Sequence, residues 1–460
     1  MVVMKFGGTS VQDVAAINRV AEIVSGRMDR EPVVVVSAMA RVTEALLHVA
    51  QVAKERRVDA ALECINELRE RHLTTARTLL AQSQEFPLDA VERDVKNQFS
   101  ELDNLVRSVA TLGELTARSQ DAIVSFGERL SSAIVAEAFR SRGIPAELAD
   151  SRSFIITDDC FSRATPDMGE TTRRTREALA PMIKAGRVPV VQGFIGSTTD
   201  GVTTTIGRGG SDYSAALIGA ALGAEAIEIW TDVDGLMTAD PRVVPNARRI
   251  RVISFAEASE LSYFGARVLH PSTVLPAVER EISVHIYNTN NPACEGTLIV
   301  ARPRPSRNLI KSIAFKRGVT IVNVTSTRML LAYGFLRTIF EVFDRHQTSV
   351  DVVTTSEVSV SMTLDNTDRL EAIKHDLSGI GAVTIEREKA IVCVVGDNLK
   401  FTPGVAGRLF RAIESTNVNM ISQGGSEINL TFVIDESEVD RVVCRLHDEF
   451  FGEVDAEVFA

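Results

Sequence analysis

The chain has 460 residues, of which 45% are hydrophobic and 24% are charged, and its formal net charge is −11. This length exceeds one ordinary core, so two or three domains are expected, and the negative charge argues against non-specific nucleic-acid binding. The five cysteines are scattered without a CxxC pair, the histidines form no ligand cluster, and no apolar run is long enough to span a membrane. We therefore expect a cytoplasmic protein without structural zinc.

The first predicted element is a strand that leads into two glycines. The stretch VVMKFGGTS at 2–10 places Lys5 at the strand end, immediately before the loop of Gly7 and Gly8. A helix capped by Ser10 is predicted next, from apolar residues at helical spacing: Val14, Ile17, Val20, Ala21 and Val24. The loop matches neither GxxxxGK[ST] nor GxGxxG. A basic residue and glycines before a helix N-terminus are nevertheless typical of an anion site.

The middle of the chain predicts an α/β sheet interrupted by helices. Residues 44–110 are charged and have helical periodicity, whereas VPVVQGFIG at 188–196 and AIEIWTD at 226–232 have the pattern of buried strands. Together with the strand at 33–36, these segments predict an open, mostly parallel sheet with helices on both faces. The helical segment is expected to be scaffold or dimer surface rather than a site of chemistry.

A second glycine loop lies in TTTIGRGGSDYS at 203–214, between a strand and an apolar helix. Its glycines allow positive φ, and Arg208 can bind a carboxylate or a phosphate through two parallel hydrogen bonds. Asp212 falls in the first turn of the helix, where it could cap the helix or hold a cation. A tight turn with a solvated arginine is the structural alternative. Two such loops in one chain favour a site for a polyanion such as a nucleoside triphosphate.

Prolines and arginines near residue 305 indicate a linker, and the chain beyond it repeats itself. Residues 334–365 align without a gap on 404–435, and each copy has the order expected of a βαββαβ ferredoxin-like module, including a last strand. Identical residues occupy matching positions in the two copies: Gly334/Gly404, Phe340/Phe410, Ser356/Ser426, Glu357/Glu427 and Asp365/Asp435.

The sequence resembles the aspartate kinases, of the amino-acid-kinase fold, through motifs in family order: KFGGTS, VVSAMARVT at 35–43, SFGERLSS at 125–132, GRGGSD at 207–212 and TDVDGLMTADPR at 231–242. The two C-terminal copies resemble ACT domains. The resemblance implies a carbamate-kinase-like catalytic domain at 1–305, with a helical insertion at about 44–120. Two ACT domains would follow, at 306–388 and 389–460.

The resemblance implies ATP-dependent phosphorylation of the side-chain carboxylate of L-aspartate to 4-phospho-L-aspartate, with Mg²⁺ carried by the nucleotide. This reaction begins the synthesis of lysine, threonine and methionine. A monofunctional enzyme is expected, with no fused homoserine dehydrogenase. Two alternatives stay open: a related kinase acting on glutamate or a nucleoside monophosphate, and a catalytically silent amino-acid sensor.

The resemblance also assigns roles to the motif residues. Lys5 would stabilise the transferring phosphoryl group, and Asp212 would hold the substrate amine or organise the lysine and magnesium. Arg208 would bind a substrate carboxylate and Glu128 its ammonium group, although Glu128 could merely cap a helix. The expected substrate-binding set is Thr43, Glu128, Arg208, Gly209, Gly210 and Ser211.

The expected nucleotide-binding set is Lys5, Phe6, Gly7, Gly8, Thr231, Asp232, Met237, Arg242, Arg267 and Val268. Two of its members depart from the family pattern. Met237 stands where tyrosine is usual, so a stacking or hydroxyl contact with the nucleotide is expected to be lost. Arg267 replaces a lysine, which keeps the charge but changes its geometry.

The resemblance further implies an amino-acid effector site in the first ACT copy, built from Met329, Ala332, Gly334, Phe335, Leu336, Ser349, Val350, Asp351, Ser356 and Glu357. Asp351 and Glu357 suit a cationic amino acid such as lysine. Leu331 and Ala332 replace polar residues of lysine-sensitive enzymes, so the choice between lysine and threonine stays open. Dimerisation alone is the structural alternative. Pairing of like modules predicts a homodimer or a higher homo-oligomer.

Overall fold

The computed structural model describes residues 1–81, 88–207, 209–265, 271–304, 306–329 and 333–460. The strands up to residue 236 are β1 (Val2–Phe6), β2 (Pro32–Val36), β3 (Ala146–Ala149), β4 (Val188–Gln192), β5 (Ile195–Ser197), β6 (Thr203–Thr205) and β7 (Ala226–Thr231). The helices of this part are α1 (Val14–Ser25), α2 (Val42–Lys54), α3 (Val58–Leu80), α4 (Leu88–Leu112), α5 (Ala117–Val124), α6 (Phe126–Arg140), α7 (Met168–Lys184) and α8 (Gly210–Leu222).

The remaining elements continue in chain order. Residues 237–303 contain β8 (Val252–Ser254), α9 (Phe255–Tyr263), α10 (Leu275–Val278), β9 (Ser283–Asn288) and β10 (Thr297–Val300). Residues 304–460 contain β11 (Ile310–Thr325), α11 (Phe335–Arg345), β12 (Val353–Thr355), β13 (Ser359–Leu364), α12 (Leu370–Ser378), β14 (Ala382–Gly396), α13 (Val405–Ala412), β15 (Met420–Gln423), β16 (Asn429–Asp435) and α14 (Val439–Phe450).

The chain divides into two compact units. The first comprises residues 1–236 and 268–303, and the second comprises residues 237–267 and 304–460. The segment that contains β8 and α9 therefore groups with the C-terminal repeat. Among the described residues, no helix is both long and apolar enough to cross a membrane.

The main sheet of the first unit is mostly parallel, as the sequence predicted. Its strands follow the order β3, β4, β2, β1, β7, β9 and β10, and only β10 runs antiparallel to its neighbour within this series. Every residue of β2 and β4 is buried, as expected for strands covered by helices on both faces. Phe6 pairs with both Val36 and Trp230, so the loops after β1, β2 and β7 leave the same edge of the sheet. This edge is the usual ligand site of an open α/β sheet.

The helical segment predicted at residues 44–110 packs into the core of the sheet. Ile65 of α3 and Val95 and Phe99 of α4 are fully buried in the cluster that contains Met4 and Val34 of the central strands. The helix α1 is capped by Asp13 rather than by the predicted cap Ser10: the Asp13 side chain accepts a hydrogen bond of 2.9 Å from the Ala16 amide. The Ser10 hydroxyl is instead buried within 2.7 Å of the Thr289 hydroxyl. The Ser10 prediction was therefore wrong.

The two C-terminal copies share one six-stranded sheet, in the order β12, β13, β11, β14, β16 and β15. β11 and β14 are long antiparallel strands, paired from Ile310 with Gly396 to Thr325 with Ala382. The end of β11 lies beside β13 of the first copy, whereas its beginning lies beside the part of β14 that pairs with β16 of the second copy. Residues 451–460 form no strand, so the last strand predicted there is absent. Residues 310–316, at the beginning of β11, pair with β14 in the position that this last strand would occupy.

Candidate active site

The two glycine loops predicted from the sequence meet through an ion pair. The Nζ atom of Lys5, near the end of β1, lies 2.6 Å from Oδ1 of Asp212 in the first turn of α8. The two side chains are 12% and 11% exposed. Gly209 enters the helix with φ of 73°, a left-handed conformation that favours glycine. The N-terminus of α8, a lysine and a carboxylate thus converge at one point of the first unit.

The first glycine loop packs tightly against the loop after β2. The Gly7 amide donates a 3.1 Å hydrogen bond to the Trp230 carbonyl, and the Ala40 amide donates to Gly8 at 3.0 Å. A Cβ atom on Gly8 would lie 2.9 Å from the Ala38 carbonyl oxygen, which leaves no room for a side chain. Thr43, the second residue of α2, is half-buried.

Glu128 lies in the first turn of α6 and is 3% exposed. Its Oε1 accepts a 3.1 Å hydrogen bond from the Ala38 amide, whereas the buried Oε2 has no hydrogen-bond partner among the described residues. Burial raises the pKa of this carboxyl to about 8. An unpartnered buried carboxylate oxygen is costly, so this atom is suited to an incoming cation. The N-cap residue of α6 is Ser125, whose side chain makes no capping hydrogen bond.

The second glycine loop is backed by close packing. A Cβ atom on Gly210 would lie 2.6 Å from the Phe194 ring, and one on Gly193 would lie 2.6 Å from Cβ of Ser211. The Phe194 amide also donates a 3.0 Å hydrogen bond to the Ser214 hydroxyl, one turn into α8. The start of α8 is therefore fixed against the strand β4 and its following residues. Arg208, predicted to bind a carboxylate, lies outside the described residues.

The structure adds a buried carboxylate that the sequence reasoning missed. Asp121 of α5 is 1% exposed and accepts hydrogen bonds from Ser162 and Thr205, the residue that ends β6 ahead of the glycine loop. No motif of known chemistry surrounds this aspartate. The only sequence signal is an acidic residue within an otherwise unremarkable helical stretch, seven positions before Glu128.

The predicted nucleotide residues are spread over both units. Thr231 and Asp232 follow β7, and the Thr231 hydroxyl donates to Asp232 at 3.2 Å. Phe6 is fully buried and stacks on Trp230 with ring centroids 6.0 Å apart, so only its backbone can reach a ligand.

Two further members of that set, Met237 and Arg242, belong to the second unit. The Arg242 guanidinium donates to the Asp240 carboxylate at 2.6 Å and is 88% exposed. Arg267 and Val268 lie outside the described residues.

The predicted effector residues lie in the second unit. Gly334 has φ of 78° and precedes α11, where Leu336 is exposed and Phe335 is partly buried. The Ser356 and Ser359 hydroxyls are 2.6 Å apart, and Glu357 is exposed. The remaining members are Met329 and Val350, both partly buried, and the exposed Ser349. Ala332 lies outside the described residues.

Asp351 differs from its neighbours because its carboxylate is already occupied. Its Oδ2 lies 3.0 Å from Lys316 Nζ, its Oδ1 accepts a 2.5 Å hydrogen bond from the Tyr263 hydroxyl, and the side chain is 3% exposed. Lys316 also lies 2.6 Å from Asp365. Burial alone would lower the pKa of Lys316, but hydrogen bonds to Asp365 and Asp351 raise it. The internal ammonium thus holds the place that was predicted for an effector.

Comparison with known proteins agrees with this geometry. Residues 1–288 match the amino acid kinase family and residues 392–450 match an ACT domain. The chain is 38% identical to the lysine-sensitive aspartokinase 3 of Escherichia coli, over 98% of this chain and 99% of that protein.

Two solved structures of E. coli aspartokinase III are similar to the whole fold. One is a complex with aspartate and ADP in the R-state, and the other is a complex with lysine and aspartate in the T-state. Each has a TM-score of 0.84 and 37% identity and covers 98% of this chain, and the match covers 100% and 99% of those chains. The chain therefore belongs to the aspartokinase family.

Proposed function

We propose that this chain transfers the γ-phosphoryl group of ATP to the side-chain carboxylate of L-aspartate, giving 4-phospho-L-aspartate and ADP. The observation that carries the proposal is the ion pair of Lys5 and Asp212, which joins the two glycine loops at the carboxyl edge of the sheet. The relative solved with aspartate and ADP supports both substrates. The product would feed the synthesis of lysine, threonine and methionine.

The reaction requires little acid or base catalysis, because a carboxylate is already ionised and nucleophilic at neutral pH. The enzyme must instead hold two anions together and stabilise the charge that spreads over the transferring group. Lys5 supplies the ammonium for this charge, and Asp212 orients Lys5 through its 2.6 Å contact. The amides at the start of α8 add donors that favour an anion.

Glu128 is proposed to bind the substrate ammonium through its unpartnered Oε2. Arg208 would bind a substrate carboxylate bidentately, and the hydroxyls of Thr43 and Ser211, with the backbone of Gly209 and Gly210, would orient the acceptor. These contacts hold the acceptor in line with the phosphoryl group. Exclusion of water from the substrate-bound site would protect the acyl phosphate from hydrolysis.

The nucleotide is proposed to lie along the loops after β1 and β7. Gly7 and Gly8 supply backbone close to the phosphates, and Thr231 and Asp232 supply polar groups at the strand end. The proposed set also includes Lys5, the backbone of Phe6, and four residues with roles taken from the family: Met237, Arg242, Arg267 and Val268.

Mg²⁺ is proposed to enter with ATP. Within the described ranges, no group of three or more His, Cys, Asp or Glu side chains is placed to hold a metal ion. Mg²⁺ is usually bound by one or two carboxylates together with substrate phosphates, so the residues present fit an ion carried by the nucleotide. Asp212 would be the protein carboxylate. When bound, the ion would neutralise charge on the phosphate oxygens.

Feedback control by an end-product amino acid is also proposed, through the first ACT copy. The support is the ACT-like repeat and a relative solved with lysine bound. Lysine is the first candidate effector and threonine the second. A homodimer or a higher homo-oligomer would couple like sites. The five free cysteine thiols fit the proposed cytoplasmic location.

A coupled ADP-release assay tests the catalytic proposal directly. The purified chain is assayed with ATP and a panel of acceptors: L-aspartate, L-glutamate, N-acetylglutamate and UMP. Turnover with aspartate alone supports the proposal. Turnover with another acceptor supports a related kinase, and no turnover with any acceptor supports a silent amino-acid sensor.

A further inference from the structure

We propose that Asp121 is a positioning residue for the aspartate site. It fixes the helical segment that carries Glu128 against the strand that enters the second glycine loop. The inference rests on the proposed function and extends it to a residue outside the binding set. The geometry of one buried carboxylate carries it.

Both oxygens of Asp121 are fully used. Oδ2 accepts hydrogen bonds from the amides of Ser162 at 2.9 Å and Thr205 at 2.8 Å. Oδ1 accepts from the hydroxyls of the same two residues, at 3.2 Å and 2.9 Å. A carboxylate that is 1% exposed and accepts four hydrogen bonds is a rigid connection, because each bond constrains it from a different direction.

The two partners of Asp121 flank the glycine loop. Thr205 ends β6, two residues before Gly207, and its carbonyl accepts a 2.9 Å hydrogen bond from Ala164. Ser162 has φ of 69°, and a Cβ atom on Gly207 would lie 3.5 Å from its carbonyl oxygen. The segment 162–164 therefore lies directly behind the loop. Asp121 holds this segment and the entering strand together.

The other end of the connection reaches Glu128. Asp121 belongs to α5, and its carbonyl accepts a 3.0 Å hydrogen bond from Ser125, immediately before α6 begins. Glu128 follows in the first turn of α6. Asp121 thus relates the proposed ammonium-binding group to the proposed carboxylate-binding loop. A displacement of about 1 Å between such groups can cost about 10²-fold in rate, so the role should be visible in aspartate kinetics.

The hydrogen-bond pattern suggests a discriminating pair of variants. In Asp121→Asn, the amide oxygen can still accept from both backbone amides, and the amide nitrogen can donate to hydroxyls that rotate to accept. The connection should survive. In Asp121→Ala all four hydrogen bonds are lost, and the buried Thr205 amide and the partly buried Ser162 amide lose their acceptor.

The experiment compares steady-state kinetics of these two variants with the wild-type chain, varying aspartate and ATP separately. Asp121→Ala should raise the aspartate KM by about 10-fold or more and leave the ATP KM within about 2-fold, whereas Asp121→Asn should stay within about 3-fold for both. The matched control is Asp103→Ala, which removes a carboxylate of α4 that contacts Arg69 at 2.6 Å. This control should lower Tm, but it should not raise the aspartate KM relative to the ATP KM.

A folded Asp121→Ala variant with an unchanged aspartate KM, or with equal rises in both KM values, would overturn the positioning role. If this variant does not fold, Thr205→Val provides the second test, since it removes one hydroxyl bond from Asp121 and keeps the side-chain shape. An aspartate KM raised by about 3-fold supports the role, and no change overturns it. A wild-type chain inactive on aspartate would contradict the proposed function itself, a result distinct from these.

Discussion

The candidate active site and the candidate effector region each contain a carboxylate proposed to bind a ligand ammonium, but the two carboxylates differ in their present partners. Glu128 is buried, and one of its oxygens has no partner among the described residues. The Asp351 side chain is also buried, but Lys316 and Tyr263 contact its two oxygens. The first group is prepared for an external cation. The second already holds an internal one.

This difference predicts different responses to a ligand. Once Glu128 has lost its proton, an ammonium that reaches it relieves the unfavourable burial of the carboxylate, so the ionised site favours binding. An ammonium that reaches Asp351 must displace Lys316 or share the carboxylate with it, so its net gain is smaller. We therefore expect the carboxylate of Glu128 to bind its ligand more tightly than the carboxylate of Asp351 binds an effector.

The largest effect is expected at the ion pair of the first unit. Lys5→Ala should lower kcat by at least ~10²-fold, the scale for removing a preorganised group that stabilises transition-state charge. The measurement is steady-state turnover at saturating substrates, with the exposed Lys54→Ala of α2 as the control. A folded Lys5→Ala variant with nearly full activity would remove this lysine from the mechanism.

The next effect is at Glu128. Removing one partner of a buried charge pair costs roughly 2–5 kcal/mol, so Glu128→Gln should raise the aspartate KM by about 30-fold or more at pH 8.5. Glu137→Gln, on the same helix and from a carboxylate paired with Arg140, is the control and should leave the aspartate KM unchanged.

The pH dependence of the wild-type enzyme provides a separate signature. Burial raises the pKa of Glu128 to about 8, so below this pH the carboxyl is mainly protonated and must lose its proton to bind an ammonium. The aspartate KM should therefore fall as the pH rises from about 6.5 to about 8.5, and Glu128→Gln should abolish this dependence. A flat wild-type profile would contradict the proposed role.

The same shift affects stability in the opposite direction. The ligand-free native state keeps this proton up to a higher pH than the unfolded chain, whose carboxyl has the ordinary value of 4.5. The contribution of Glu128 to the free energy of unfolding should therefore be present at low pH. It should decline as the pH rises from about 4.5 to about 8. Urea titrations of wild type and Glu128→Gln across this range measure it.

A moderate effect is expected at Arg208. Arg208→Lys should raise the aspartate KM by about 10-fold, and more than the ATP KM, because a point charge cannot replace two parallel hydrogen bonds to a carboxylate. Arg163→Lys, at an exposed arginine of the segment 162–164 behind the same loop, is the control and should leave both KM values unchanged. A rise confined to the ATP KM would place Arg208 on the nucleotide side.

The smallest effect is expected in the second unit. Lys316→Met removes the internal ammonium, so added L-lysine should bind the variant a few-fold more tightly than the wild type. Calorimetric titration of the full-length chain measures this, with Lys389→Met, from a lysine 2.6 Å from Asp435, as the control. If lysine and threonine bind neither chain at millimolar concentration, the ACT repeat has a structural role and the feedback proposal fails.

Patterns local in sequence predicted the framework of this molecule well. The sequence predicted the strand and glycines around Lys5, the loop before α8 and the parallel sheet. It could do so because strand and helix periods and glycine turns are local properties. Helical periodicity also indicated α3 and α4, although their packing against the sheet core was not part of the pattern.

Features that depend on distant pairing were not predictable in the same way. The partners of Asp121 lie 41 and 84 positions along the chain, and nothing near Asp121 indicates them. Lys316 reaches Asp351 only because β11 pairs within the shared sheet, so the effector prediction could not include an internal competitor. The cap of α1 shows that even a local prediction can be wrong. Ser10 and Asp13 are both residue types that favour an N-cap, but Gly8–Val11 forms a 3-10 turn, so the α-helix starts after Asp13.

The long pairing of β11 with β14 imposes an order of assembly during synthesis. A nascent chain that ends at residue 388 contains every strand of the first copy, yet residues 310–316 still lack the neighbours that lie between 391 and 396. Until those residues emerge, a hydrogen-bonding edge is open to other chains. Deleting the second copy would leave the same edge permanently unpaired. The two copies are therefore expected to fold as one unit.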